Sequence, residues 1–431
     1  HGNGRGAWVG HVRGLSHERV IFGVSGDAVS GTFTHRGKLF KLEPRADGSH
    51  VVSQVSRRLP APELDPIPEA DKPNRGGGGS GGDSTATPES PETTGPVVID
   101  ILVAYTPAVA AIYGTQGAEA LIVQAIAETN QAYLNSGVDH RLNLVGAVET
   151  DYVESGDMQT DLSRLRNTGD SFMDELHATR DSLGADLVSL IQHEAAYCGL
   201  AYRMTSNSTG FAPNAFSVVY HGCATGYYSF AHEIGHNQGA HHNSENASGS
   251  MYDYGYGYRD EINGFRTIMA YNCPGGCIRI DHFSRSDMYF NGAATGYANY
   301  TENALVIDQT AATVAAFRAG TVPAQTTTAP AAPSDLHVIA AGSDSMDLNW
   351  ADNSDNESGF VIERYDGVVE AYAEVASLPA GTVSWRDQGL DAGSYYVYRI
   401  KAWNSQGSSA FSDPAVAATY AEDGQAPPPG C

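Results

Sequence analysis

The chain has 431 residues and carries 25 Lys and Arg against 50 Asp and Glu, a formal net charge of −25. So acidic a protein is a poor binder of nucleic acid and of anionic membranes, because both require clustered positive charge. The sequence contains no run of about 18 apolar residues, so it predicts no transmembrane helix. The length corresponds to two to three domains of roughly 150 residues each.

The N-terminal 74 residues have the pattern of short strands, with a hairpin turn at 25–28. Residues 75–95 are first Gly-rich and then rich in Ser, Thr, Pro and Glu, which is typical of a flexible linker. We therefore predict a β-rich domain at 1–74. The linker is open to proteolysis, and cleavage there would give a mature N-terminus between about Gly82 and Val97.

Residues 96–320 alternate strand and helix signals. The order predicts an α/β (α+β) domain with a mixed sheet that starts as βαβαβ and continues with an edge strand and a central helix. The predicted strands are Val97–Ala104, Leu142–Ala147, Leu187–Ile191 and Ala215–Tyr220, and the predicted helices are Gly117–Leu134, Met158–Leu183 and Asn299–Arg318. An Ala/Thr/Pro-rich linker follows at 321–333.

Residues 334–420 show short strands at regular spacing, followed by a tail at 421–431. Trp350 and Leu390, which lies six residues before Tyr396, resemble the core Trp and the tyrosine corner of fibronectin type III domains. The resemblance implies an all-β sandwich. Residues 352–359 are rich in Asp and Asn, but Glu357 stands where a calcium loop needs Gly, so Ca²⁺ is unsupported there.

The segment AHEIGHNQGAHH carries the strongest functional signal. His232 and His236 are four residues apart, so on a helix both imidazoles project from one face and can hold one Zn²⁺. Gly239 can adopt a positive φ, end the helix and bring His242 back to the ion. Three ligands leave a fourth position for water, as in catalytic zinc sites, and Glu233 is suited to act as general base.

Chance produces such a match about once in ten thousand chains of this composition. His241 does not fit the spacing, and we expect it on the surface.

The segment TIMAY at 267–271 adds a second signal. Together with the histidine motif it resembles the Met-turn of metzincin metalloproteases, in which Met269 would form an apolar floor beneath the zinc. The resemblance implies that Tyr271 lies near the metal and can hydrogen-bond the tetrahedral intermediate, as in astacins and serralysins. Asn243 follows the third His, where many metzincins have Asp or Glu.

Two runs, VIDILVAYTP at 98–107 and MAYNCPGGC at 269–277, resemble the bacterial peptidyl-Asp metallopeptidases. The resemblance covers about residues 96–320 and implies that 1–74 is a propeptide. The propeptide has no Cys, so a cysteine switch is not available to it. Asp27 could mimic a zinc-blocking Asp of the astacin type, but a hairpin turn explains this residue better.

The same resemblance implies cleavage on the amino side of Asp. A pocket for a buried carboxylate needs a fixed cation, and residues 97–320 contain no Lys, so Arg must supply it. Arg266, Arg279 and Arg285, around and after the Met-turn, are the candidates. A broad-specificity protease is the alternative.

Four of the five Cys lie in one region, which leaves three possible pairings. We favour Cys198–Cys223 and Cys273–Cys277, each closing a short loop in an oxidising compartment. Cys431 is left over.

We therefore predict a secreted, extracellular and monomeric zinc metalloendopeptidase that acts on protein or peptide substrates. Zinc-activated water would attack the peptide bond with Glu233 as general base. We expect no nucleic-acid or membrane partner. Two other classes stay open: a zinc amidase or deacetylase with a non-protein substrate, and an adhesion protein that acts through 334–420. A silent adhesion protein has no need of Glu233, which argues against the second.

Overall fold

The computed structural model describes residues 5–12, 15–56, 62–68, 97–194, 196–318, 329–354, 357, 359–366, 371–379, 382–404 and 407–421. The predicted linker at 75–95, most of the linker at 321–333, the predicted cleavage region and Cys431 lie outside these residues. None of the helices within them combines the length and apolarity needed to cross a bilayer.

The N-terminal region is an antiparallel five-stranded meander that packs on a long helix, α1 (Pro107–Asn135). Its strands are β1 (Arg5–Val12), β2 (Leu15–Ser25), β3 (Ala28–His35), β4 (Lys38–Pro44) and β5 (His50–Gln54). Two buried hydroxyls attach the meander to α1: Ser30 donates to Gln124 at 2.6 Å and Thr32 donates to Glu128 at 2.7 Å. A further strand, β6 (Ile67–Pro68), leaves this sheet and joins the next one.

The central sheet has six strands in the order β6-β10-β11-β9-β7-β8. Their bounds are β7 (Val98–Tyr105), β8 (Arg141–Glu149), β9 (Leu187–Gln192), β10 (Gly199–Arg203) and β11 (Phe216–Tyr220). β7, β8, β9 and β11 run parallel, whereas β10 pairs antiparallel with β11. The mixed α/β sheet that the pattern predicts is therefore confirmed. The expectation of an edge strand before the central helix is wrong for Ala215–Tyr220, because β10, a strand that the pattern missed, pairs with β11 on its outer side.

The remaining helices are α2 (Met158–Arg166), α3 (Asp174–Leu183), α4 (His221–Ala224), α5 (Ser229–Asn237) and α6 (Asn303–Val314). The single helix predicted over 158–183 is wrong, because extended backbone at Asn167 and a positive φ of 79° at Gly169 separate α2 from α3. Helix α1 begins earlier than predicted. Thr106 caps it, and Gly114 interrupts it with a φ of 70°.

Short strand pairs follow α5 and position the Met-turn. They are β12 (Arg259–Asp260), β13 (Phe265–Arg266), β14 (Ile278–Arg279), β15 (Tyr289–Phe290) and β16 (Ala293–Ala294). Both disulfides that we favour are formed, Cys198–Cys223 and Cys273–Cys277. The second closes the loop between β13 and β14.

The C-terminal region forms two sheets around a separate core that includes Trp350, Phe360 and Tyr398. Its strands are β17 (Ser334–Ala340), β18 (Ser345–Ala351), β19 (Gly359–Asp366), β20 (Ala371–Pro379), β21 (Ser384–Gln388), β22 (Tyr395–Asn404), β23 (Gly407–Ser408) and β24 (Ala415–Ala418). The hydroxyl of Tyr396 accepts a hydrogen bond from the backbone of Asp391 at 2.8 Å, which is the tyrosine-corner contact. The predicted all-β sandwich is confirmed.

Candidate active site

Three imidazoles converge on one point beside α5. His232 and His236 lie on one face of this helix, one turn apart, and His242 returns to them after the chain turns at Gly239 with a φ of 90°. All three side chains are fully buried, and their Nε2 atoms lie 3.1 Å from one another pairwise. The histidine spacing therefore gives the cluster that we expected from it.

The hydrogen bonds at Nδ1 leave the convergent nitrogens free to bind a cation. Nδ1 of His232 donates to the carbonyl of Ile268, and Nδ1 of His236 donates to the carbonyl of Ala240, both at 2.9 Å. Burial lowers the pKa of all three imidazoles, that of His242 to about 3, so the rings are neutral at pH 7. The three neutral rings therefore direct the lone pairs of their Nε2 atoms at one point, which fits a zinc ion.

Glu233 stands next to the cluster and is also fully buried. Among the described residues, neither of its carboxylate oxygens has a hydrogen-bond partner. Burial, and then the nearby charge of Glu63, raise the pKa of Glu233 well above its usual range. The carboxylate has room because Gly199 faces it from β10: a Cβ at position 199 would lie 2.3 Å from Oε1 of Glu233.

The Met-turn packs against the other side of α5. Met269 is fully buried, and its Sδ would lie 2.7 Å from a Cβ at Gly235, so this helix glycine permits the contact. The ring of Tyr271 lies 4.2 Å from the ring of His242, centroid to centroid. Asn243, the residue that departs from the usual metzincin pattern, accepts the backbone N–H of Tyr271 at 2.9 Å and so fixes this loop.

The three candidate arginines occupy different places. Arg279 lies behind the cluster, where its Nε donates to the carbonyl of Ile268 at 2.8 Å and its Nη2 contacts His232. Arg266 is its neighbour across the parallel β13–β14 pair, but it is buried and donates to the carbonyl of Ala270. Arg285 is bound elsewhere, to Asp287, Asp308 and Gly137.

Residues 62–68, the cleft segment, reach this site without any sequence signal that we recognised. Glu63 accepts hydrogen bonds from Arg279 at 2.6 Å and from Ser229 at 2.8 Å. Asp65 accepts one from the hydroxyl of Tyr271 at 2.8 Å. The only local clue is the prolines at 62, 66 and 68, which favour extended backbone.

His241 is buried and not on the surface, so the expectation for this residue is wrong. Its Nδ1 accepts the backbone N–H of His242 at 2.9 Å. Asp27 lies exposed in the β2–β3 turn, as the hairpin reading requires.

Comparison with known proteins agrees with this site. Residues 96–284 match the model of metallo-peptidase family M12, and residues 331–418 match that of the fibronectin type III domain. A peptidyl-Asp metalloendopeptidase of Xanthomonas campestris pv. campestris is 39% identical over 332 residues, which cover 73% of this chain and 76% of that one. One of Stenotrophomonas maltophilia (strain K279a) is 41% identical over 304 residues, 68% of this chain and 69% of that one.

A shorter relative from Pseudomonas fragi, with the same description, is 37% identical over 192 residues, 44% of this chain and all of that one. The fold, the histidine cluster and these matches define a zinc metalloendopeptidase with a fibronectin type III domain. Within that class, the chain belongs to the peptidyl-Asp metalloendopeptidase family.

Proposed function

We propose that His232, His236 and His242 hold one catalytic zinc ion through their Nε2 atoms. The observation that carries this proposal is the convergence of three buried Nε2 atoms, 3.1 Å apart, beside the unpaired carboxylate of Glu233. When bound, zinc supplies Lewis-acid chemistry that polarises water and the substrate carbonyl. The carbonyls of Ile268 and Ala240 hold the rings in the tautomer that this requires.

Glu233 acts as the general base in this proposal. Its carboxylate is buried beside the imidazoles and has no hydrogen-bond partner among the described residues, so it is available to take a proton from water and return it to the leaving amine. Its carboxylate stands against β10, whose edge is where an extended peptide would pair. The ring of Tyr271 lies beside His242, and its hydroxyl, which donates to Asp65 here, would donate a hydrogen bond to the oxyanion once Asp65 has left.

Replacing Glu233 tests the mechanism. We expect Glu233→Gln to lower kcat by roughly 10²–10⁴-fold, because it removes the proton acceptor and leaves the three imidazoles in place. Zinc content measured by atomic absorption should be unchanged, whereas His242→Ala should lose zinc. Glu149→Gln, on an exposed strand end, is the matched control. Normal turnover by a zinc-loaded Glu233→Gln protein would refute the assignment.

We further propose that the enzyme prefers Asp immediately after the cleaved bond and that Arg279 recognises it. The support is that Arg279 already binds a carboxylate, that of Glu63, in a place where both side chains are almost fully buried, at 3% and 2% exposure. A charge-assisted hydrogen bond from a buried guanidinium favours a carboxylate over a neutral side chain. Arg266 lies next to Arg279 in the β13–β14 pair. Arg285 binds Asp308 and takes no part in recognising the substrate's Asp.

Cleavage of matched peptides tests this preference. For peptides that differ only in Asp or Asn after the cleaved bond, kcat/KM should favour Asp, and Arg279→Gln should reduce that ratio by about 10–100-fold. The ratio should survive in Arg285→Ala. A library digest without enrichment of Asp at that position would end the proposal and leave a broad-specificity protease.

We propose that the enzyme is secreted and works extracellularly as a monomer. Its two disulfides support an oxidising compartment. Its acidity gives no support to a nucleic-acid or membrane partner.

A further inference from the structure

The cleft segment, residues 62–68, follows the edge strand of the central sheet along its length. Cys198 donates its backbone N–H to the carbonyl of Pro62 at 2.8 Å, at the N-terminal end of β10. At the other end, Ile67 and Pro68 pair in parallel register with Tyr202 and Arg203. An extended peptide substrate would need the same edge, because within the described part of the chain β10 has no other strand on that side.

The side chain of Glu63 lies at Arg279, in the place that we propose for the Asp side chain of the substrate. It is bound by the guanidinium of Arg279 and the hydroxyl of Ser229, and Arg279 also donates to the carbonyl of Tyr227 at 3.0 Å. Both donors meet Oε1 of Glu63, whereas Oε2 is buried without a hydrogen-bond partner among the described residues, so this place is built around one carboxylate oxygen. The ion pair between Arg279 and Glu63 is almost fully removed from solvent, so neither charge is left without its partner while the segment stays in place.

Asp65 covers the neighbouring part of the site. Its carboxylate engages the hydroxyl of Tyr271 and lies 3.5 Å from Nδ1 of His242. Pro66, the next residue, is buried. The cleft segment therefore occupies the subsite, the catalytic Tyr and the strand edge at once.

The rest of the N-terminal region keeps the segment at high effective concentration. The meander is fixed to α1 by the bonds from Ser30 and Thr32, and Lys41 donates to the carbonyl of Gly222 at 2.8 Å. An intramolecular occupant held in this way competes with substrate without any large affinity of its own.

We propose that the cleft segment is an internal, substrate-like inhibitor, in which the carboxylate of Glu63 takes the place of the substrate's Asp in the subsite formed by Arg279 and Ser229. The proposal rests on the proposed Asp preference of the same subsite. It assigns the blocking of the cleft in the intact chain to Glu63 and not to Asp27.

Peptide binding to the intact chain tests this inference. The Glu233→Ala background prevents self-cleavage, and the probe is a fluorescein-labelled peptide with one Asp among Ala residues. Fluorescence anisotropy with zinc-saturated protein gives its Kd. We expect Glu63→Ala, added to this background, to tighten binding by about tenfold or more, because the competing state is lost. Glu63→Gln, nearly identical in shape, should act in the same direction. Asp27→Ala should leave Kd unchanged.

The outcomes test the internal inhibitor and the proposed preference for Asp separately. If neither Glu63 variant binds the probe more tightly than the Glu233→Ala parent, the inhibitor is refuted, whatever the specificity of the active enzyme. If binding tightens equally for the Asp peptide and its Asn counterpart, the segment still blocks the cleft, but its mimicry of Asp and the proposed preference both fail. Circular dichroism and zinc content identify a misfolded Glu63→Ala protein, in which case Glu63→Gln decides.

Discussion

The carboxylate of Glu233 occupies space that any side chain at position 199 would fill, so this position requires glycine. A Cβ there would lie 2.3 Å from Oε1 and 2.7 Å from Cγ of Glu233, far inside van der Waals contact. We expect Gly199→Ala to displace the carboxylate and lower kcat by about tenfold or more, since displacements of about 1 Å are costly in catalysis. Zinc content should be retained, because the imidazoles are not touched.

Gly275→Ala is the control for this change, since nothing lies within 4 Å of a Cβ at that position. Equal activity of the two alanine variants would show that Glu233 tolerates movement and that the fit at 199 has no catalytic role.

The cluster of ligands was predictable at the residue scale because its geometry is local. A separation of four residues places His232 and His236 on one helix face, and the turn at Gly239 returns His242 within the same short segment. Glu63 and Gly199 were not predictable, because they reach the site through strand pairing between distant parts of the chain. No local periodicity encodes such pairing.

At the scale of elements, strand β10 connects the site to a disulfide. Cys198 immediately precedes β10, and its bond to Cys223 links the strand to α4 just before α5. Both sulfur-bearing side chains are fully buried. The link therefore fixes the spacing between β10 and α5, the helix that carries Glu233.

We expect removal of this link to cost more stability than removal of the other disulfide. The Cys198–Cys223 bond spans 25 residues and the Cys273–Cys277 bond spans four. Loop-closure entropy assigns about 3 kcal/mol to the first and about 2 kcal/mol to the second. Replacing both Cys198 and Cys223 with Ala should lower Tm by roughly 6–12 °C in calorimetry. A larger loss of Tm for the Cys273→Ala/Cys277→Ala double variant would contradict this order.

Most elements of the catalytic domain were visible in the sequence, and the exceptions have physical causes. Long apolar runs such as Val98–Tyr105 identify buried parallel strands. The apolar spacing of 158–183 continues in phase across the break at Asn167 and Gly169, so the pattern joins two helices into one. Strand β10, with the sequence GLAYR, shows neither strict alternation nor a continuous run of β-branched residues, so it carries no strand signal.

At the scale of the whole molecule, the chain contains two separate apolar cores. One lies around the central sheet, and the other, around Trp350 and Phe360, belongs to the fibronectin type III domain. None of the described contacts at the histidine cluster comes from the second core.

A buried carboxylate in the catalytic domain ties the stability of the fold to pH. Asp186 is 2% exposed at the start of β9, where it accepts backbone N–H groups from Asp100 at 2.9 Å and Arg318 at 3.1 Å. Burial is the main cause that raises the pKa of Asp186 from 3.8 to about 7. Between these two pH values the folded state holds a proton that the unfolded state has lost.

The free energy of unfolding must therefore fall as pH rises through this window, by about 3 kcal/mol between pH 5 and pH 8 from this group alone. The Asp186→Asn variant has no proton to release at this position. We therefore expect its free energy of unfolding to fall by that amount less than the parent protein's between pH 5 and pH 8. Urea unfolding at both pH values, with zinc at saturation, measures the difference. The pH dependence of zinc binding is common to both proteins and cancels. Asp151→Asn, at an exposed position, should keep the slope of the parent protein. Parallel pH profiles for Asp186→Asn and the parent would show that Asp186 is ionised in the folded state throughout.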